Sequence, residues 1–145
     1  MPIGATDMLI EKFGYKRIYV SPEFLREKCA LEDLKNPSRI VIGTSDINSE
    51  VIFKYLSIFD SQNKVVVSNK DAEAIKLYSN AYLAMRLSFM NEIDSLADEL
   101  GFDSKNVIEG IGYDPRIGNQ YNNVSDGWGG SCLPKDTIEL ASVAN

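Results

Sequence analysis

The sequence predicts an α/β fold in which a small parallel sheet comes first and a helical region with one long helix follows. Two β-branched apolar runs, residues 39–43 and 64–68, flank a segment with helical periodicity. Strand, helix, strand with short connections is typical of a parallel βαβ unit. From Asp71 to Leu100 the chain has neither proline nor glycine, and apolar residues recur at three- and four-residue steps, which predicts the long helix.

Each element of the first half has its own signal. Apolar residues at helical spacing over 8–13 predict a short helix that ends at Gly14. Residues 17–20 predict a third short strand, which ends at Ser21-Pro22. Ser49 is expected to cap the helix between the two later strands. The inward face of that helix is predicted to carry Val51, Ile52, Tyr55, Leu56 and Phe59.

The second half is predicted to be helical apart from one loop. A helix over residues 71–100 would be about 45 Å long, so part of it is expected to pack on another subunit or domain. Gly101 ends this helix, and Asp103 or Ser104 caps a shorter one. Residues 113–123 form a polar, aromatic loop, a composition that suits a polar ligand and also occurs in plain connectors.

Composition excludes several classes of function. The formal net charge of -6 argues against a nucleic-acid binder, which needs clustered Lys and Arg. The chain has no histidine, and Cys29 and Cys132 lack a metal-ligand spacing, so no metal site is expected. The sequence has no apolar run of about 18 residues and no signal-peptide pattern, which predicts no membrane span and a cytoplasmic protein with reduced thiols.

The richest chemistry lies in Gly129-Gly130-Ser131-Cys132-Leu133-Pro134-Lys135-Asp136, here called the cysteine stretch. If a helix starts near Pro134, Cys132 and Asp136 lie one turn apart on the same face. Backbone donors at a helix N-terminus, with Lys135 nearby, favour a thiolate and therefore a nucleophilic cysteine. The competing interpretation is a buried structural cysteine in a glycine turn, and the residues alone leave both open.

Two further pairs of polar side chains are candidates. If residues 22–27 form one helical turn, Glu23 and Glu27 share a face and can act as acid and base. The alternative is an ordinary solvated turn. Lys76 and Asn80 are four residues apart in the long helix, where both can point at one anionic oxygen. The alternative is a lysine that reaches solvent beside a solvated asparagine.

Four segments occur in a fixed order: Ser21-Pro22-Glu23-Phe24-Leu25-Arg26-Glu27, Lys76-x-x-x-Asn80, Asp114-Pro115-Arg116-Ile117-Gly118 and the cysteine stretch. In residues, order and spacing they resemble the UDP-glucose 6-dehydrogenase family, and the resemblance covers essentially the whole chain. It implies the C-terminal part of a Rossmann-like NAD-binding domain over residues 1–68. It also implies a central helical dimerisation and substrate domain, with the catalytic cysteine, over residues 69–145.

The resemblance implies an activity as well. The family uses NAD to oxidise C6 of UDP-glucose twice, through a thiohemiacetal and a thioester on a cysteine, and releases UDP-glucuronate. Cys132 resembles that nucleophile. Lys76 would then stabilise the oxyanion, Asn80 would hold the reacting oxygen or a water, Asp136 would position the hydrolytic water, and Glu23 would transfer a proton.

The same resemblance implies binding residues and a homodimer through the long helix. Glu27 and Lys135 would approach NAD, and Arg116 would reach the substrate site of a partner subunit. The implied contacts to the sugar nucleotide are Glu23, Phe24, Leu25, Arg26, Glu27, Lys76, Asn80, Arg116, Tyr121, Asn122, Asn123, Val124, Ser125 and Gly129.

The sequence departs from the family pattern in what it lacks. The family has a βαβ unit with Gly-x-Gly-x-Val-Gly and a C-terminal UDP-binding domain, and neither occurs here. We therefore expect an internal fragment that turns over no NAD alone, because the backbone donors for the pyrophosphate are missing. Ser21 and residues 121–123 favour UDP-glucose as substrate; the alternatives are GDP-mannose, or a non-catalytic dimerisation module.

Overall fold

The computed structural model describes residues 1–15, 18–46, 49–127, 129–130 and 132–143. Over those ranges it is mixed α/β and mostly helical, with a small parallel sheet and one long helix, as the sequence predicts. The chain divides into two compact units, Met1–Lys76 and Leu77–Asn145. The helices are α1 (Ala5–Phe13), α2 (Ala30–Lys35), α3 (Glu50–Leu56), α4 (Asn69–Leu100), α5 (Ser104–Gly112) and α6 (Leu133–Val143); a 3-10 turn spans Glu27–Cys29, and the strands are β1 (Ile40–Gly43) and β2 (Lys64–Val67).

The sheet organises the core of the first unit. Strands β1 and β2 pair in parallel, with Val41 opposite Val65. Successive side chains of β1 point to opposite faces, because a strand has a period of two. Ile42 accordingly packs with Ile52 and other apolar residues of α3, whereas Val41 packs in a second cluster that includes Ala72 of α4. Both faces of β1 are therefore covered, which explains its continuous apolar sequence.

The third strand predicted at residues 17–20 is wrong in the part that the structure describes, and Arg17 lies outside that part. Only Val20 pairs, in an isolated antiparallel bridge in which Val20 and Gly43 exchange backbone hydrogen bonds of 3.1 and 2.7 Å. Pro22 follows two residues later and has no N–H to donate, so the pairing does not extend. Gly43 permits the approach, because a Cβ there would lie 2.4 Å from a Val20 methyl carbon.

The predicted helix ends are confirmed where glycine or aspartate sets them. Gly14 and Gly101 adopt left-handed φ angles of 68° and 75°, and each backbone N–H donates to the carbonyl four residues earlier. The Asp103 carboxylate accepts hydrogen bonds from the backbone N–H groups of Lys105 and Asn106, which caps α5. The predicted inward face of α3 is correct for only part of its residues, since Ile52 and Leu56 are buried while Val51 and Tyr55 are exposed.

A buried carboxylate on α4 connects α4 to α1. Glu73 is 2% exposed, and its oxygens accept hydrogen bonds from Gly4 N at 2.5 Å, Thr6 N at 2.8 Å and Thr6 Oγ1 at 2.6 Å. The first N–H groups of a helix have no partner within the helix, and the helix dipole favours a negative charge there. Glu73 meets both requirements and fixes the start of α1 against α4.

Helix α4 has a buried side and an exposed apolar side. Leu77, Ala84 and Met90 are buried within the chain. Tyr78 and Phe89, at other positions around the same helix, are 59% and 58% exposed. Among the described residues, no helix is both long enough and apolar enough to cross a membrane. No group of three potential metal-ligating side chains occurs in the same part of the chain.

Candidate functional site

The cysteine stretch forms a helix start, as the sequence predicts. Cys132 immediately precedes α6, and its carbonyl oxygen accepts a hydrogen bond from the Asp136 backbone N–H at 3.0 Å, so the two residues are one turn apart. Pro134 lies in the first turn, where the absence of an N–H is harmless. The Cys132 thiol is exposed and is not in a disulfide, which lets an electrophile reach it from solvent. Ser131 lies outside the described residues.

A buried polar pair adjoins this helix start. Asp136 and Asn80 are only 2% and 8% exposed, and Asn80 Nδ2 donates to Asp136 Oδ2 at 2.5 Å. Lys135 Nζ contacts the other carboxylate oxygen of Asp136 at 3.0 Å, although its own side chain is 63% exposed. The hydrogen bond to Asp136, and then the charge of that carboxylate, raise the pKa of Lys135. The second unit thus brings together Asn80, Lys135 and Asp136, and Asp136 is one helical turn from Cys132.

In the first unit, Lys76 holds the segment around Glu23. Lys76 Nζ donates to the backbone carbonyl oxygen of Glu23 at 2.7 Å and lies 3.6 Å from a carboxylate oxygen of the same residue. The ring centroid of Phe24 lies 5.5 Å from Lys76 Nζ and 3.7 Å from the guanidinium carbon of Arg39. Three predicted site residues therefore meet here, together with Arg39, which the sequence analysis missed.

Residues 22–26 do not form the helical turn that would place Glu23 and Glu27 on one face, so the alternative of an ordinary turn without that face applies. The chain is irregular up to Arg26, whose backbone is extended, and the 3-10 turn starts only at Glu27. Asp33 holds Arg26 in this conformation, because one carboxylate accepts the Arg26 backbone N–H at 2.8 Å and its guanidinium at 2.7 Å. Glu23 and Glu27 therefore do not share a helical face.

The ion pair between Arg26 and Asp33 occupies the guanidinium of a predicted substrate contact. The hydrogen bonds from Arg26 lower the pKa of Asp33, and the same bonds raise the pKa of Arg26. Leu25, beside it, exposes 42% of its surface. The Arg26 side chain is thus directed to Asp33, and Leu25 offers an apolar surface to solvent.

Arg116 makes a similar local pair. Its guanidinium donates to Asp114 Oδ2 at 2.6 Å and to Asp114 Oδ1 at 3.0 Å, while its side chain is 87% exposed. These bonds lower the pKa of Asp114 and raise that of Arg116. Because the Arg116 side chain is largely exposed, although that of Asp114 is only 30% exposed, an anionic group of a ligand can compete for the guanidinium.

The loop after Arg116 is fastened to α4 by two side chains. Arg86 donates to the carbonyl oxygen of Gly118 at 3.0 Å and to Asn122 Oδ1. Asn122 is 8% exposed and donates in turn to Gly118 O at 2.8 Å. Further along, the Ser125 backbone N–H donates to Asn91 Oδ1 at 3.0 Å. The Asn122 amide, a predicted substrate contact, thus shapes the loop.

The outer residues of this loop remain open to solvent. Tyr121 is 36% exposed and has a left-handed φ of 61°, a conformation that disfavours residues with a Cβ. Asn123, Val124 and Gly129 are exposed. A cleft of about 620 Å³ in the second unit is bordered by Asn122, Asn123 and Val124 on this loop and by residues of α4 and α5.

The residues that the sequence analysis missed share one property. Arg39, Arg86 and Asn91 act by contacts with residues distant in the chain, so no local spacing marks them. The sequence offers one signal for the two arginines. Arg39 stands directly before a buried strand, and Arg86 stands within a helix that is apolar on both sides. This signal indicates a specific partner without identifying that partner.

Comparison with known proteins identifies the family. Residues 70–145 match the UDP-glucose/GDP-mannose dehydrogenase family, central domain. A UDP-glucose 6-dehydrogenase of Campylobacter jejuni is 46% identical over 143 residues, which cover 97% of this chain and 36% of that protein. A UDP-glucose 6-dehydrogenase of Streptococcus pneumoniae is 46% identical over 149 residues, with 97% and 38% coverage.

A solved structure gives the same result. The structure of a UDP-glucose dehydrogenase from Pyrobaculum islandicum matches with a TM-score of 0.86 and 39% identity, over 99% of this chain and 35% of that one. The chain spans little more than a third of the length of the relatives that it matches. Because its second half matches the central domain and its whole length aligns with these relatives, the chain belongs to the UDP-glucose/GDP-mannose dehydrogenase family.

Proposed function

We propose that this chain supplies the nucleophile and part of the substrate site of an NAD-dependent enzyme that oxidises UDP-glucose to UDP-glucuronate. The observation that carries this proposal is the exposed Cys132 thiol at the start of α6, one turn from the buried Asn80–Asp136 pair. Relatives that share 46% identity are UDP-glucose 6-dehydrogenases. In the proposal, residues 1–68 form the C-terminal part of the NAD-binding domain, and residues 69–145 form the central helical domain.

The proposed oxidation passes through intermediates that are covalently bound to Cys132. The C6 alcohol of the sugar first loses a hydride and its hydroxyl proton, which gives an aldehyde. The Cys132 sulfur then bonds to C6 and the oxygen takes a proton, which gives a thiohemiacetal; loss of a second hydride and of that proton leaves a thioester. Attack by water breaks the bond between sulfur and C6 and releases the carboxylate and the thiol. Two NAD molecules, bound one after the other, would each accept one of these hydrides.

The other polar side chains serve the oxygen atoms of this reaction. The Lys76 ammonium and an N–H of Asn80 are donors suited to a negatively charged oxygen on C6. Asp136 holds the Asn80 amide in place and orients the water that attacks the thioester. The Glu23 carboxylate is 66% exposed and lies 3.6 Å from Lys76 Nζ, so it can exchange a proton with solvent during hydrolysis.

The residues present suit one part of an NAD site. Lys135 keeps an exposed ammonium three residues after Cys132, which suits an anionic cofactor, and its contact with Asp136 raises its pKa further above neutral pH. Glu27 is the second residue that the family resemblance assigns to NAD. The 145 residues contain no Gly-x-Gly-x-x-Gly, the turn whose backbone N–H groups bind a pyrophosphate, so they do not form that part of the site.

The substrate contacts are proposed for two segments of the chain. Residues 23–27 contact the sugar nucleotide, and Lys76 holds their backbone at Glu23. Residues 121–125 and Gly129 are the other proposed contacts to the sugar nucleotide, and Arg86 and Asn91 hold the loop that contains residues 121–125. Arg116, whose pair with Asp114 is exposed, would reach the substrate of a partner subunit.

The same proposal includes a homodimer formed through α4. The helix exposes an apolar stripe at helical spacing, and an extended exposed apolar surface is typical of a protein interface. The stripe consists of Tyr78, Tyr82, Met85, Phe89, Leu96 and Leu100, which are 46–70% exposed. Tyr78 and Tyr82, one turn apart, are suited to the centre of such an interface because aromatic residues are enriched there.

A chimeric enzyme tests the proposed function. The 145 residues replace the matching segment of the Campylobacter jejuni UDP-glucose 6-dehydrogenase, and NADH and UDP-glucuronate are measured with UDP-glucose as substrate. We expect Cys132→Ser to abolish carboxylate formation and Cys29→Ser, the matched control, to leave it intact. Full UDP-glucuronate formation by Cys132→Ser would overturn the role of Cys132. Failure of the unmutated chimera to oxidise UDP-glucose would overturn the assigned activity.

A further inference from the structure

We propose that Arg39 is a positioning residue that acts through the ring of Phe24 to hold the Lys76 ammonium on the Glu23 carbonyl. The guanidinium carbon of Arg39 lies 3.7 Å from the Phe24 ring centroid, which is the distance of a guanidinium stacked on an aromatic face. Arg39 directly precedes β1, so a rigid element fixes its backbone. This inference rests on the proposed function in one respect: the catalytic role of Lys76 is the reason why its position matters.

The Phe24 ring transmits the position of Arg39 to Lys76 by two routes. Phe24 follows Glu23 in the chain, so a fixed ring also fixes the Glu23 carbonyl oxygen that accepts from Lys76 Nζ at 2.7 Å. The ring centroid also lies 5.5 Å from Lys76 Nζ, within the range of a cation–π contact. The ring itself packs on the buried cluster that contains Val41. Phe24 therefore contacts both Arg39 and the buried cluster.

The charges in this cluster explain why the ring is needed. Arg39 and Lys76 are both cations beside one ring, and burial lowers the pKa of Arg39 through the loss of water around its guanidinium. The negative face of the ring compensates both charges. The Glu23 carboxylate, 3.6 Å from Lys76 Nζ, adds a further compensating charge. Loss of the ring or of its guanidinium partner would release the Lys76 ammonium from its place.

Competitive acylation of lysines measures this release in the complete 145-residue chain, without substrate or cofactor. The protein is treated with an acetyl N-hydroxysuccinimide ester, and the rate at Lys76 is divided by that at exposed Lys54 of α3. Alkylation of half-buried Cys29 monitors folding of the same unit. We expect Arg39→Ala and Phe24→Leu each to raise the Lys76 ratio about threefold or more, as loss of a cation–π contact implies. The Cys29 rate should not change.

Two conservative variants separate positioning from simple loss of structure. Phe24→Tyr keeps the ring and should keep Lys76 protected, whereas Arg39→Lys keeps a charge without the planar guanidinium and should raise the ratio with Cys29 unchanged. The double variant Arg39→Ala, Phe24→Leu should react no faster at Lys76 than either single variant. An unchanged Lys76 ratio in both Arg39 variants, or additive single effects, would overturn the inference.

The outcome of the acylation experiment does not depend on the proposed function. If Lys76 depends on Arg39 for its slow acylation but the chimera does not oxidise UDP-glucose, the positioning role of Arg39 stands and the proposed activity is rejected. In a chimera that is active, Arg39→Lys should lower kcat more than it raises KM for UDP-glucose, because Lys76 is proposed to stabilise the oxyanion of the transition state more than it binds the substrate. A change in KM alone would count against Arg39 acting through Lys76.

Discussion

Truncation of Asn80 to alanine gives a direct test of the buried pair beside Cys132. A hydrogen bond to a charged group contributes about 1.5–3 kcal/mol. The Asp136 carboxylate that accepts this bond is 2% exposed, so removal of the amide leaves a buried charge with one partner fewer. We therefore expect Asn80→Ala to lower the free energy of unfolding by about 2–3 kcal/mol. For a chain of this length that loss corresponds to a decrease in Tm of roughly 7–10 °C.

Urea and thermal unfolding, followed by circular dichroism, measure this loss. Asn106→Ala is the matched control, because the Asn106 side chain is exposed on α5. Asp136→Asn removes the buried charge that Asn80 satisfies. The loss in the double variant should therefore be smaller than the sum of the two single losses. An Asn80→Ala variant as stable as the Asn106→Ala control, or strictly additive losses, would refute the reasoning.

Three further predictions follow from exposure, close packing and charge. Exposed Cys132 should react with iodoacetamide faster than half-buried Cys29 in the native chain, as mass spectrometry can show; equal rates would contradict an accessible thiol. Gly43→Ala should destabilise the chain by about 1–3 kcal/mol, since its Cβ would lie 2.4 Å from a valine methyl and 2.8 Å from a backbone carbon. Gly110→Ala, with nothing within 4 Å of the new Cβ, should be neutral or stabilising, and equal losses in urea unfolding would refute this argument. Because its arginine partner lowers the pKa of Asp33, the stabilisation from that carboxylate is present above its unfolded pKa of about 4 and is lost as the pH falls through the folded value. Asp33→Asn should therefore be less stable than the native chain at neutral pH and equally stable in strong acid; a constant difference across pH would contradict the ion pair.

Local rules predicted the elements whose ends depend on one residue. Gly14 and Gly101 end their helices, and Asp103 caps α5, because these effects need only backbone geometry and a neighbouring side chain. The long helix was predicted just as directly, because thirty residues without Pro or Gly and with helical periodicity strongly favour a helix.

Contacts between distant residues set the rest. The residues alone left open whether 22–27 form a helical turn. The structure has none before Glu27, because the Asp33 carboxylate accepts the backbone N–H of the extended Arg26, and no rule of spacing gives that pairing. Within the candidate site, the sequence marked Cys132 and Asp136 by their common helix start. It marked neither the burial of Asp136 nor the Arg39 stack on Phe24, because both depend on which surfaces meet after folding.

The left-handed backbone at Tyr121 has a consequence for how this loop can change. Gly118, Gly127 and Gly130, nearby in the chain, reach positive φ with no Cβ to crowd the backbone, whereas Tyr121 bears a conformational cost of about 1–2 kcal/mol. A sequence under selection for stability alone would replace this tyrosine with glycine or asparagine. Because Tyr121 is also a proposed substrate contact, Tyr121→Gly should gain stability from the relaxed backbone and lose activity in the chimera.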